Sequence, residues 1–336
     1  MVVRSNSFNK AGTLALWRFV EVYGRMQLAD YLVSKALQIN NDCLVHLSRV
    51  EGELTRQELR LVMTSAEQLS SFWQMLHWSV GRTPYRDAVR RLQLAQAIQP
   101  SLDNPFSNTA RQLLKKSGGA KTGRAIRRAS DVLIRRLVGQ RPDPGQVERL
   151  ARVFQDESAC WRDYSQLRQI SDDDLIVNGI VRAYARGRRY GVRLIADKGR
   201  GDGVSIKPRK LKRAIAWVRH SVNHLALLRP SLSDANVKRL WYLQKLDLNL
   251  VKQLELDAFL IGVSKLEIKA RARRRIEQAA TEYQRRIMKQ RKKLFGCCYG
   301  AKKREFLNSI REDVHNLGLQ EVILLPTDKA RYGELG

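Results

Sequence analysis

Apolar residues in this chain recur at intervals of three and four from about residue 9 to residue 295, and segments that alternate apolar with polar residues are scarce. Three-and-four spacing places side chains on one face of an α-helix, whereas a half-buried strand needs alternation. The run Leu211, Ile215, Val218, Val222, Leu225 is a clear case. Only eight prolines occur, and Pro84, Pro100, Pro105, Pro142, Pro144, Pro208 and Pro230 stand where helices should break. The expectation is therefore an all-α fold. Helices are predicted at roughly 9–39, 53–79, 84–99, 105–116, 121–138, 144–169, 172–197, 207–229, 234–246, 248–262 and 263–295, with an extension near 301–316 and a short apolar run from Val322 to Leu325. Ser171 reads as the N-cap of the seventh, with Asp172, Asp173 and Asp174 in its first turn.

A Gly- and Asp-rich breaker lies between 197 and 208, and a weaker seam lies near 139–145. Helix order repeats on either side of residue 170, with residues 9–169 as one copy and 172–295 as the other. The length fits about two domains.

Charge limits the function. The 62 Lys and Arg face 33 Asp and Glu, a formal net charge of +29 with a pI near 10.5. A chain so charged repels itself unless an anion offsets the field. Nucleic acid, an anionic membrane face, polyphosphate and acidic protein all qualify. At 43% hydrophobic residues the chain can bury a core, which excludes a disordered basic tail. No stretch is long and apolar enough to span a bilayer, and the first ten residues lack a signal-peptide run. Cys43, Cys160, Cys297 and Cys298 form no disulfide framework and no zinc-finger spacing, so a cytoplasmic location is expected. The net charge is +4 over residues 1–100, +10 over 101–200 and +15 over 201–336.

The basic residues align. Arg182, Arg186, Arg189 and Arg193 share one helix face. Arg209, Arg213 and His220 follow the same spacing on the next helix, with Asn223 and His224 beside them. Arg271, Arg274, Arg275 and Gln278 make a third stripe, extended by Arg285, Lys289 and Lys292, and Lys121, Arg124, Arg128 and Arg135 a fourth. Like charges at this spacing destabilise a helix by a few tenths of a kcal/mol per pair (roughly 0.2–0.5), so four stripes together point to a bound polyanion. Arginine forks also match phosphate oxygens two at a time.

Gly179-Ile-Val-Arg-Ala-Tyr-Ala-Arg-Gly-Arg-Arg189 and the segment from Arg219 to Pro230 resemble the second half of a CHAD domain, the conserved histidine α-helical domain. Arg239-Leu240 and Asp247-Leu-Asn249-Leu250 resemble its Asp-x-Asp-Leu turn, with Asn249 replacing the second carboxylate. Tyr85 to Leu92 resembles a helix of its first half. The match in order covers most of 9–295. It implies two antiparallel four-helix bundles related by a pseudo-twofold (a helical duplication), with basic faces lining a groove. It also implies non-catalytic binding of inorganic polyphosphate and association with polyphosphate granules. The domains are then a charge-poor bundle at 1–169, a strongly basic bundle at 170–296 and an extension at 297–336. Where the family has basic residues near 60–76, this chain has Thr64, Glu67, Gln68 and Ser70. The signature histidine position falls at Lys212, and Ile215 and Ala216 replace an Arg-Lys pair. A site weighted to the second bundle follows, made of Arg182, Arg186, Arg189, Arg193, Arg209, Lys212, Arg213, Arg219, His220, His224, Arg271, Arg274 and Arg275. Nucleic-acid binding of weak sequence selectivity is the alternative.

Other motifs lead nowhere stronger. His220 and His224 have zinc-protease spacing, but Ser221 stands where the motif needs Glu. Glu51-Gly-Glu53 begins a triphosphate-tunnel pattern that Thr55 breaks. The three aspartates at 172–174 could hold magnesium, and a helix start explains them equally well. Cys297-Cys298 after a basic helix is a context for acylation. No phosphate loop or nucleophile constellation occurs, so neither cofactor, metal nor catalysis is expected. Trp17, Phe19, Tyr23, Phe72, Trp73, Trp78, Trp217, Trp241 and Tyr242 read as core; Tyr184 and Tyr190 are the one pair suited to stacking bases.

Overall fold

The computed structural model describes residues 27–50, 54–97, 105–115, 119–137, 145–163, 170–196 and 208–332. Those residues are all-helical, without a strand among them. In order they form α1 (Leu28–Leu47), α2 (Arg56–Val80), α3 (Arg82–Ala97), α4 (Pro105–Leu114), α5 (Ala120–Leu137) and α6 (Gln146–Asp163). A single turn at Asp172–Asp174 then leads through a π-helical stretch, Leu175–Val181, into α7 (Arg182–Ala196). After α8 (Pro208–Leu227) and a 3-10 turn at Arg229–Ser231 come α9 (Asp234–Ser264), α10 (Ala270–Tyr299) and α11 (Lys303–Tyr332). Pro105 and Pro208 act as expected, opening α4 and α8, where a missing N–H is harmless, while Pro100, Pro142 and Pro144 lie outside the described residues. The Gly/Asp breaker at 197–207, the Glu51–Glu53 pair and the aromatics Trp17, Phe19 and Tyr23 lie outside the described residues.

Two helix starts, α2 and the turn at Asp172, show side-chain capping. At α2, Thr55 Oγ1 accepts from Glu58 N (3.3 Å) while Glu58 accepts from Thr55 N (2.6 Å), a reciprocal capping box. At Ser171 the hydroxyl accepts from Asp174 N (3.2 Å), as its sequence context predicts. The three aspartates that follow each have a structural partner. Asp172 accepts from Leu28 N at the start of α1 (2.8 Å), Asp173 pairs with Arg311 of α11, and Asp174 accepts from Ser171 and Asn178. Among the described residues no group of acidic, His and Cys side chains could hold a metal ion.

Several boundaries differ from the sequence reading, beginning with α1, which runs on to Leu47 rather than ending near 39. A break was expected at Asp247, yet α9 runs unbroken for 31 residues. Both polar residues there are satisfied sideways rather than by a turn. Asp247 pairs with Arg219 of α8, and Asn249 donates to Ile287 O (3.1 Å) and accepts from Arg291 Nε (3.2 Å) of α10. The chain turns instead at Lys265–Lys269, so α10 begins at Ala270 rather than near 263. Helix α11 also runs much further than 301–316, carrying the Val322–Leu325 run within it.

Helix α1 lies against α2 and α6, α2 against α3, and α3 against α6. In the same way α8 lies against α7 and α9, and α10 against α9 and α7. The two sets meet where α2 packs on α8 and on the π stretch, and one core runs through both, joined by Phe306, Ile310 and Leu317 of α11. Helices α4 and α5 leave the first set. Their Leu113, Ile126, Ala129 and Leu133 build a separate core with Leu256, Phe259, Ile276, Ala280 and Ile287 at the far ends of α9 and α10. Below the surface of the first set, Glu157 is fully buried and receives both indole N–H groups of Trp73 and Trp161 and the Arg91 guanidinium. A buried carboxylate with three donors is a satisfied group and a strong specifier of which helices meet.

Close approach depends on glycine. A Cβ at Gly179 would meet the backbone of Met75 as well as its side chain, so α2 and the π stretch touch only because that atom is missing. Gly296, inside α10, has nothing within 4 Å of such a Cβ. Gly179→Ala should therefore destabilise by about 1–3 kcal/mol through overpacking, while Gly296→Ala should stabilise by up to about 1 kcal/mol through helix propensity. Chemical denaturation of the two variants beside the parent checks both signs.

Candidate anion-binding surface

The basic faces of α7 and α8 are built from the inside outward. Helix α8 turns Leu211, Ala214, Ile215, Val218 and Leu225 into the core, which sends Arg209, Lys212 and Arg213 to the outside. Helix α7 buries Ala183, Tyr184 and Leu194 and sets Gly187 and Gly191 against Tyr299 and Phe295 of α10. Its Arg186, Arg189 and Arg193 are exposed as a result. Neither helix contains an acidic residue. Among the described residues no carboxylate pairs with any of these six cations or with Arg182.

Two of the arginines lie on tryptophan rings. The Arg182 guanidinium lies 3.7 Å from the Trp78 ring centre, and Arg186 lies 5.1 Å from that of Trp217. Trp78 is 51% exposed and Trp217 half-buried, so the expectation that both belong to the core is corrected: they are platforms that steer charge. Stacking fixes the plane of a guanidinium while leaving its N–H edge free, and that edge is what meets two phosphate oxygens. Burial, and then Arg186 beside it, pulls the Arg182 pKa down. His77, packed face to face with Tyr85 (4.2 Å between centres), is likewise pushed down by burial and by Arg182, Arg186 and Arg82. The positive field thus extends across α7 to the end of α2 and the start of α3. Trp241 is also exposed, beneath Lys245, and is not core.

Where α7 ends and α8 begins, Tyr190, Arg193, Leu194, Arg209, Lys210 and Arg213 line a cleft of about 310 Å³. The first turns of α8 thus carry four cations where the helix dipole already favours an anion. That arrangement is electrostatically unfavourable in isolation and favourable around a phosphate. Tyr190 is half-buried at this cleft, and Tyr184 is buried against Phe306 with its hydroxyl on Ala301 O, so the two do not form a stacking pair.

Three residues expected on this surface are not on it. Arg219 is half-buried and donates to Asp247 (3.1 and 3.3 Å) and to Glu67 of α2. Burial works against its charge, and the two carboxylates together more than reverse that effect. His224 is fully buried, its Nε2 donating to Ser71 O (2.8 Å). His220 Nδ1 reaches Ser71 Oγ (3.0 Å). Because Ser71 gives its own proton to Glu67 O and accepts from Asn223, His220 is the donor in that contact. Both imidazoles are neutral: burial pushes His220 down to about 3, with His224 adding to it, and pushes His224 down to about 4 against the pull of Ser71. These residues join α8 to α2. Glu67 is the acid that Arg219 needs.

Arg271 and Arg274 are exposed and Arg275 is half-buried, but they sit at the opposite end of α10 from α7. Arg291 carried no expectation. It is buried, with Asn249 and Gln253 as neutral partners, and burial lowers it to about 10. Cys297 is exposed and Cys298 buried, with burial raising the latter to about 12. No described helix is long and apolar enough to cross a membrane. Compared with known proteins, the chain matches no protein family, no curated protein and no solved structure.

The seam gives a pH dependence. A histidine whose folded pKa lies below its unfolded value takes up protons on unfolding, so stability is full above about 6.5 and falls as pH drops toward the folded value. For His224, between 6.5 and about 4, the loss at pH 5 is about 2 kcal/mol. Glu67 and Asp247, whose carboxyls burial raises, act in the opposite sense, so the comparison must isolate the histidine. His224→Gln, which keeps a donor toward Ser71 O, should be less stable at pH 7.5 but lose about 2 kcal/mol less than the parent between pH 7.5 and pH 5. Urea denaturation at the two pH values measures it.

Proposed function

We propose that this chain binds inorganic polyphosphate on the α7–α8 surface and catalyses no reaction. One observation carries the proposal: Arg182, Arg186, Arg189, Arg193, Arg209, Lys212 and Arg213 stand on two adjoining helices without a paired carboxylate among the described residues. Seven uncompensated cations in one area are unfavourable until a polyanion supplies the missing charge. Arginine predominates, and bidentate N–H edges favour phosphate over a diffuse anionic partner.

Polyphosphate is preferred to other polyanions on two grounds. The resemblance of residues 179–189 and 219–230 to the CHAD family implies it. The neighbour relations, α1–α2–α3–α6 in one set and α7–α8–α9–α10 in the other, support the paired four-helix bundles of that family. Nucleic acid is the competing ligand, and stacking on exposed aromatic rings would be its mark. Trp78 and Trp217 each already carry a guanidinium on one face, which favours phosphate contacts over base contacts. Binding of this kind would bring the protein to polyphosphate granules.

Competition decides between the two ligands. At fixed salt near physiological strength, long-chain polyphosphate should displace both duplex and single-stranded DNA at equal phosphate concentration; displacement of polyphosphate by DNA would replace this reading with the nucleic-acid one. Arg186→Glu with Arg213→Glu should weaken polyphosphate binding at least about tenfold and flatten its salt dependence. Unchanged affinity would place binding elsewhere.

A further inference from the structure

A second basic cleft lies at the start of α10, the helix whose C-terminal part packs against α7. Arg128 of α5, Lys265 and Lys269 of the α9–α10 turn, and the single carboxylate Glu267 line a space of about 580 Å³, floored by Leu266, Ile268 and Ala272 among others. The cations are exposed. Helix α10 begins here with Lys269 as its N-cap residue, without a side-chain cap bond and without an acid in its first turn. Exposed Arg271 and Arg274 follow at once. The local charge is therefore positive from three sources, namely α5, the turn and the helix start, against one Glu.

The distance between the clefts follows from α10. Gly187 and Gly191 of α7 abut Tyr299 and Phe295, so α7 runs antiparallel to α10 along its C-terminal part. Val192, Ile195 and Met288 line one groove, which puts the end of α7 near Met288. Ala272 lines the second cleft, sixteen residues earlier on the same helix. At 1.5 Å per residue the separation along the axis is roughly 24 Å. That is about three Debye lengths at physiological salt, so a small anion at one cleft does not feel the other. A long polyanion can occupy both.

We infer that the two clefts act as a bivalent site, each holding a separate stretch of one polyphosphate chain, so that the protein selects chains by length. The inference rests on the polyphosphate reading and extends it. Once one cleft is occupied, the second meets the same chain at high effective concentration, which multiplies affinity by about 10²–10⁴ without any new kind of contact. Tripolyphosphate cannot span the gap and gains nothing.

The test uses the full chain with tripolyphosphate and with long-chain polyphosphate as probes, at equal total phosphate and near-physiological salt. The parent should bind the long chain at least about 100-fold more tightly. Arg128→Glu with Lys269→Glu, both exposed and checked for folding by circular dichroism, should lose most of that advantage. Its affinity for tripolyphosphate, still held at α7–α8, should change no more than about twofold. If that variant keeps the full length advantage while the parent binds both probes, the bivalent site is wrong and the α7–α8 reading survives. If the parent binds neither probe, both are wrong.

Discussion

Arg219 of α8 sits between Asp247 of α9 and Glu67 of α2 and serves both carboxylates, and the placement of the outer surface depends on that clamp. Around it Ser71 gathers His220, Asn223 and His224, so that nearly two turns of α8 are tied to one stretch of α2. A half-buried cation with two acids is poor evidence of net stability. It is better suited to fixing which faces meet, because any other rotation of α8 would leave three half-buried charges without their partners. With its inner face held in this way, α8 has no freedom to turn Arg209, Lys212 and Arg213 aside. The glycines of α7 do the same work from the other flank, seating that helix on Tyr299 and Phe295.

Much of this fold was legible in the sequence. The helical period, the prolines at helix starts and the Ser171 cap each rest on local chemistry that a single chain displays. The errors share a cause as well. Asp247 and Asn249 read as a turn through their resemblance to an Asp-x-Asp-Leu motif; their partners, Arg219, Ile287 and Arg291, are tens of residues away in the chain. His224 looks like a ligand because its helix is basic, although it lies one position before Leu225 on a face that is partly core. Glu157 gave no signal at all, since an acid in a polar-rich helix is ordinary until two indoles and an arginine converge on it.

The candidate surface was legible in a different way. Periodicity found Arg186, Arg189, Arg193, Arg209 and Arg213 as exposed positions but extended the α8 stripe to His220 and His224, which face α2, and it could not say which stripes share a side of the molecule. The stripe at Arg271–Arg275 belongs with Arg128 and Lys265 at the other end of α10, because α4 and α5 cross over to build a core there. Trp78 and Trp217 were assigned to the core from their helical spacing, whereas each lies under an arginine. Hydrophobic character alone does not separate a core ring from a ring that positions a cation.

If the α7–α8 surface receives a polyanion, its cations repel one another in the free protein and relax when the polyanion binds. Thermal denaturation of Arg186→Gln with Arg213→Gln, with and without long-chain polyphosphate, tests that directly. Free of anion, the variant should melt at or above the parent temperature, because two repelling charges are gone, and polyphosphate should raise its melting temperature by less than it raises the parent's. An equal rise in both proteins, or a free variant that melts well below the parent, would contradict the account.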